Sequence, residues 1–284
     1  LDKEWDKLHK KTAFRLDSVR ERDEVKAEAR RTGKTVHFGS LMELCHEKHS
    51  ELPEAFRIYK GRVVFRGDQV RDESGFYAVF SEQGTSASHL AAAKFIDAIA
   101  RFPGCDGENA DATSAYTQVR FADLIARGQD VPDTWVSLPT HQQPSEWKRF
   151  RDPVCKLEVN LYGHPLAGLY WEKHCHAAVL RAGFEKVPGW ECLFRHAEWQ
   201  LFLSIYVDDF KMAGKAENIK KAWDALRLGK NGLELDPPVS LKDSVYLGCS
   251  QREFCPTAEQ LKPHAEFYQR LFARGEQPPH SGSD

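Results

Sequence analysis

Apolar positions recur along this chain with two different periods, and the places where the period changes mark out its elements. From Ser86 to Arg101, the residues Leu90, Ala93, Phe95, Ile96, Ile99 and Ala100 follow helical spacing, and Phe102-Pro103-Gly104 ends the run. Residues 165–184 repeat that spacing with Leu166, Leu169, Tyr170, Trp171, His174, Ala178 and Leu180, stopped at Gly183. Residues 3–31 mix dense charge with Trp5, Leu8, Phe14, Leu16 and Val19, which predicts one or two amphipathic, solvated helices. Extended segments read differently. Phe56 to Gly67 alternates basic with apolar or aromatic residues, the pattern of a hairpin with one cationic face. Trp135-Val136-Ser137-Leu138-Pro139 is a short strand, with Pro144 in the loop beyond it. Leu201 to Gly214 holds two apolar runs flanking Asp208 and Asp209, which puts both acids at the tip of a hairpin with buried arms. No internal repeat is visible, and the tail from Gln277 to Asp284 is expected to fray.

Composition narrows the class. The 284 residues are 41% hydrophobic and 29% charged, which excludes collagenous, Pro-rich or wholly disordered chains and allows one large or two modest domains. A formal charge of -2 speaks against a small, strongly basic nucleic-acid module. That total conceals an asymmetry: residues 1–66 carry 16 Lys and Arg against 12 Asp and Glu, about +4, and the rest of the chain about -6. No run of about 18 apolar residues exists, so a soluble chain without a membrane partner is expected. The opening Leu1-Asp2-Lys3-Glu4-Trp5 is neither a signal peptide nor an initiator sequence, which suggests excision from a longer chain. Seven cysteines with no Cys-x-x-Cys pair suit a reducing, intracellular compartment. His174-Cys175-His176 point about 100° apart around a helix and read as residues of a surface helix rather than one ion's ligands.

The chemistry concentrates in acids. Asp208-Asp209 is either a polar turn or a metal site; Asp-Asp is a poor two-residue hairpin turn, and neighbouring carboxylates repel unless a divalent cation relieves them. Asp111 stands where a weak strand turns into the segment ending at Tyr116, a position that otherwise suits a helix cap or turn residue.

Taken in order, Asp111 with Tyr116, Leu161-Tyr162-Gly163, Tyr206-Val207-Asp208-Asp209 and Tyr246-Leu247-Gly248 resemble the successive motifs of reverse transcriptases, most closely those of copia-type long-terminal-repeat retrotransposons. Tyr59 to Gly67 resembles that family's Tyr-Lys-Ala-Arg-Leu-Val-Ala-Lys-Gly, and Asp111 to Tyr116 its Asp-Val-Lys-Thr-Ala-Phe. Trp135 to Pro139 is similar to Val-Tyr-Met-x-Gln-Pro, Val154-Cys155-Lys156-Leu157 to Val-Cys-Lys-Leu, and Cys192-Leu193-Phe194 sits one strand ahead of the acid pair, as in the family. The co-linear series runs over roughly residues 1–255.

The resemblance implies an α+β right-hand polymerase with an antiparallel palm sheet: fingers 1–105 and 126–158, palm 106–125 and 159–240, and a primer-side hairpin with a truncated thumb from 241 to 284. It implies RNA-directed DNA synthesis by two-metal nucleotidyl transfer, with Mg²⁺, or Mn²⁺ in its place, on Asp111 and Asp208 and with Asp209 in support. Tyr116 would lie under the nucleotide sugar and select against a 2′-hydroxyl, unless it is simply a core aromatic. Lys60, Arg62 and Arg66 would hold the triphosphate or templating strand, Gly163 would let backbone approach the nucleotide, and Tyr246, Leu247 and Gly248 would contact the primer. Implied partners are an RNA template, a nucleic-acid primer, deoxynucleoside triphosphates and the remaining Pol polyprotein domains, in cytoplasmic virus-like particles. Three departures stand against this. Pro165 replaces a cationic position, the segment Leu235-Asp236-Pro237-Pro238-Val239 lacks a lysine that is a candidate proton donor to pyrophosphate, with Lys242 nearby, and few residues remain for a thumb. The alternative is a catalytically degenerate retroelement-derived domain that binds primer and template without efficient synthesis; a metal-dependent nuclease is a third reading.

Overall fold

Trp5 and Leu8, one helical turn apart, and the pair Val25 and Ala29 each bury one stripe of a short helix, and a strand separates the two. The computed structural model describes residues 1–80, 90–242, 245–250 and 254–273. The helices are α1 (Asp2–Lys10) and α2 (Arg22–Thr32), with β1 (Phe14–Glu21) between them. The expected helical run over 3–31 is thus interrupted, because Phe14, Leu16 and Val19 turn inward on a strand. Next come β2 (Val36–Lys48) and β3 (Ile58–Phe65), paired antiparallel from Leu41↔Phe65 to Lys48↔Ile58. The basic, alternating run is therefore one arm of a hairpin, not a hairpin by itself; its partner arm is β2.

The order continues with α3 (Leu90–Ile99), β4 (Cys105–Asp111), α4 (Phe121–Ala126), β5 (Asp133–Ser137), β6 (Pro153–Leu157) and α5 (Ala167–Arg181). It ends with β7 (Glu185–Lys186), β8 (Leu193–His196), β9 (Leu201–Tyr206), β10 (Asp209–Lys215), α6 (Ala216–Arg227) and β11 (Val239–Ser240). The helix expected from Ser86 is described only from Leu90; residues 86–89, like the tail from Gln277, lie outside the described residues. All these elements belong to one unit, Leu1–Leu241. The second unit, from Lys242, contains the two-residue strands β12 (Val245–Tyr246) and β13 (Cys249–Ser250) and the helix α7 (Ala258–Ala273).

Two sheets organise the first unit, and the class is α+β. One has five strands in the order β1-β6-β5-β2-β3, with β2 and β5 parallel and the other pairs antiparallel. The other is wholly antiparallel, with six strands in the order β11-β4-β10-β9-β8-β7. Alternation divides the faces of β10. Phe210 and Met212 join the main core with Tyr170 and Trp171 of α5 and Ile219 and Trp223 of α6. Lys211 and Ala213 face the other way onto α3, where Ala213 packs with Ala92 and Ile96 and Lys211 meets Asp97 at 2.6 Å. The main core also takes in Val136, Leu157, Val159 and Leu161, so both sheets share it. His174 and Cys175 lie inside this packing at 4% and 1% exposure, and the surface-helix reading of that triplet is corrected: α5 buries the face that carries them.

No helix among the described residues is long and apolar enough to cross a membrane.

Candidate functional site

Register brings the acids together. β4 and β10 pair so that Asp111 stands directly opposite Asp209, a relation that sets Cβ atoms about 5 Å apart. Across β9 and β10, Asp209 pairs with Tyr206, so the two-residue turn is Val207-Asp208. Asp208 is at the tip as expected, but Asp209 is the first residue of β10, shifted off the tip by one position. Tight hairpin turns demand positive φ, and here Val207 carries it, at +56°. A β-branched residue in that region costs about 1–3 kcal/mol. Two hydrogen bonds hold it there: the Trp171 indole N–H donates to Val207 O at 2.6 Å, and the Ala112 N–H donates to Asp208 O at 2.7 Å. The second ties the turn to the end of β4.

Electrostatics follow from that packing. Burial, then the charges of Asp208 and Asp111, push the Asp209 carboxyl up to about 6. Asp111 is raised by burial and by the charges of Asp208 and Asp236, against which a hydrogen bond with the Asp209 carboxyl works. The donor set is carboxylate oxygen only, the chemistry Mg²⁺ takes, and mutual repulsion is what a divalent ion relieves. Among the described residues no group of three His, Cys, Asp or Glu side chains stands together as a ready metal site.

The raised acid gives a pH prediction. Its folded value of about 6 exceeds the ordinary 3.8, so its contribution to stability is complete below about 3.8 and is lost as pH rises through 6. Asp209→Asn should therefore raise the metal-free Tm at pH 7.5, by roughly 2–4 °C if the repulsion amounts to about 1 kcal/mol after solvent screening. At pH 4 the two proteins should melt nearly together. Thermal melts in chelator at both pH values check this; equal shifts at both would overturn it.

Asp111 and Asp208 line a cleft of about 230 Å³, whose other walls include Lys60, Arg62, Tyr162, Asp236 and, from α1, Glu4 and Lys7. Strand alternation puts Lys60 and Arg62 on one side of β3 while Val63 and Phe65 go to the core. Burial, with Lys48 and Arg62 adding like charge, lowers the Lys60 ammonium from its ordinary range. The Arg62 guanidinium lies over the Tyr162 ring at 4.6 Å, and the Tyr162 and Tyr116 rings meet at 4.5 Å. Burial and the Asp208 charge raise both phenols.

Arg66 and Gly163, also singled out from the sequence, do not line this cleft. Arg66 pairs with Asp68 at 3.5 Å, and its backbone N–H donates to Ser40 O. Gly163 has a packing reason: its φ is +85°, a Cβ there would fall 2.1 Å from Phe65 O, and the Phe65 N–H donates to Tyr162 O at 2.7 Å. The missing side chain lets the 161–164 loop lie against the end of β3. In the second unit, Tyr246 pairs with Cys249, and Leu247 and Gly248 form the intervening turn at φ +49° and +77°.

Sequence reasoning passed over Tyr162 and Asp236. Tyr162 is inside a recognised motif, adjacent to the glycine that drew attention. The Asp236 backbone N–H donates to Asp111 O at 2.9 Å, and its carboxylate accepts from Thr113 Oγ1 at 2.6 Å. Its only signal was its place in a segment that departs from the family pattern. A larger groove of about 420 Å³, between β1 and α2, has paired charges instead: Arg20 meets Glu28 at 2.6 Å and Lys156 meets Asp133 at 3.0 Å.

No family model matches the sequence, and no curated protein matches it. Among solved structures, telomerase from Candida albicans in complex with the TWJ fragment of telomeric RNA is similar at 10% identity with a TM-score of 0.38. That match covers 75% of this chain, which spans 43% of the telomerase chain.

Proposed function

We propose that this chain is an RNA-directed DNA polymerase of the copia-type reverse transcriptase class, with residues 106–125 and 159–240 as palm and residues 1–105 and 126–158 as fingers. The observation that carries the reading is the juxtaposition of Asp111, Asp208 and Asp209 at one sheet end with the cationic Lys60 and Arg62 across the same cleft. Polymerisation is an in-line phosphoryl transfer from a nucleoside triphosphate to a primer hydroxyl, and its developing charge sits between metal ions and cationic side chains. Asp111 and Asp208 would hold Mg²⁺, or Mn²⁺ in its place, with Asp209 supporting; the bound ions supply charge neutralisation and orientation of the reacting oxygens. Lys60 and Arg62 orient the triphosphate, Arg62 being fixed by its stacking on Tyr162. Tyr116, held by the same ring, restricts the space for a 2′-hydroxyl.

The test is primer extension on an RNA template with deoxynucleotides and Mg²⁺. Extension that chelator abolishes is expected, and Tyr116→Ala should accept ribonucleotides about tenfold better relative to deoxynucleotides, the scale of a lost steric contact. An unchanged ratio would remove Tyr116 from sugar selection.

A second reading has its own observation. Asp236 lines the same cleft, in a segment where the resembled family carries a lysine, and its negative charge opposes an incoming triphosphate. A degenerate domain that retains primer-template binding without synthesis fits that charge; tight binding with no extension across metals would favour it.

A further inference from the structure

Helix α1 carries a cationic stripe whose middle lysine, Lys7, lines the acid cleft. Trp5 and Leu8 are 2% and 1% exposed and fix one side of the helix in the main core, and the Trp5 indole donates to Glu43 at 2.5 Å. At 100° per residue, Lys3, Lys7 and Lys10 fall within a stripe about 60° wide on the opposite side, and Lys11 extends it. These four lysines and Asp6 line an open groove of about 440 Å³. Lys7 also lines the acid cleft, so groove and cleft share a wall. Gly61, between Lys60 and Arg62, explains the proximity: a Cβ there would come within 3.0 Å of the Leu1 backbone, so its absence seats the start of α1 on β3.

The groove's lining sets four ammonium groups against one carboxylate, Asp6, which makes no ion pair among the described residues. Glu4 approaches Lys7 at 3.9 Å, and Glu234 takes Lys11 at 3.0 Å. Lys3 and Lys10 are exposed and make no ion pair among the described residues. From residue 3 to residue 11 the stripe runs about 12 Å, the rise of roughly three to four nucleotides of a helical strand. Flexible ammonium groups along a line, without an aromatic among them, suit evenly spaced point charges rather than base edges.

We infer that α1 is a docking ridge for the phosphodiester backbone of the nucleic-acid strand whose end enters the acid cleft, the strand passing Lys7 and running over Lys3 and Lys10. This rests on the reading of the cleft as a nucleotidyl-transfer site. Backbone contacts of this kind fix register and are indifferent to sequence.

The test is equilibrium binding of labelled primer-template to the full chain between 50 and 200 mM salt. Wild type is compared with the double variant Lys3→Gln/Lys10→Gln, with Lys3→Glu/Lys10→Glu, and with the control Lys186→Gln on the edge strand β7. Each lost phosphate contact removes about 0.9 from the slope of log affinity against log salt. The glutamine pair should flatten that slope by roughly 2 and weaken binding at 100 mM salt about tenfold, the glutamate pair more, and the control should match wild type. Circular dichroism should be unchanged, because Trp5 and Leu8 are untouched. Wild-type affinity and slope in the double variants would overturn the inference. So would displacement by poly-glutamate as effective as that by nucleic acid of equal charge, since the ridge would then bind an acidic peptide. Extension by the wild type with no effect of the α1 variants would remove the ridge and leave the polymerase reading intact. Binding that depends on α1 without any extension would do the reverse.

Discussion

Asp208→Asn is expected to lower primer extension by at least about a thousandfold while primer-template affinity stays within a few-fold of wild type. The asparagine keeps the size and one oxygen but loses the charge, and a divalent ion held by this carboxylate would supply several kcal/mol of charge stabilisation at about 1.4 kcal/mol per tenfold. Fold is not the confounder, since Asp208 sits in a turn and its backbone carbonyl, not its carboxylate, accepts the Ala112 N–H. Asp111→Asn should behave alike. Asp209→Asn should lose less, because Asp209 is placed as a supporting acid. Single-turnover extension under saturating Mg²⁺ separates the three, and an Asp208→Asn protein with unreduced activity would sink the metal-ligand assignment.

Gly163→Ala should be strongly destabilising although it adds only one methyl group. The residue has φ +85°, and the added methyl would lie 2.1 Å from a backbone oxygen, which no rotamer change relieves. Left-handed strain with a clash of this kind should cost about 3–4 kcal/mol. Urea unfolding should show a lower midpoint with an unchanged slope. The same substitution pushes Tyr162 away from Arg62, so extension should fall even at temperatures where the variant stays folded. A loss below about 1 kcal/mol would show that the 161–164 loop can leave β3 freely.

Much of this arrangement is legible in the amino-acid sequence itself. The apolar runs around Asp208 give β9 and β10, and the helical spacing ending at Gly183 gives α5 nearly to its ends, because each depends only on local periodicity. What periodicity does not contain is register. That Asp111 faces Asp209, and that Val207 rather than Asp209 shares the turn with Asp208, are properties of two strands at once. The same holds for Tyr162 and Asp236, which become site residues only when loops distant in sequence meet β3 and β4. The contact of Gly163 with Phe65 is likewise a tertiary one that its own segment does not announce. His174 and Cys175 misled for a related reason, since a polar run on a helix says nothing of which side its neighbours will cover.

Among the described residues β1 pairs with β6 alone, with Phe14 opposite Leu157, while β2 and β3 are consecutive strands that pair with each other. During synthesis at 5–20 residues per second, β1 would therefore wait roughly 7–27 seconds for its partner, its amides and carbonyls bonded to water and open to another strand. Its sequence is suited to that interval: Arg15, Asp17, Arg20 and Glu21 put charges of both signs along the edge, which discourages pairing with a second nascent chain.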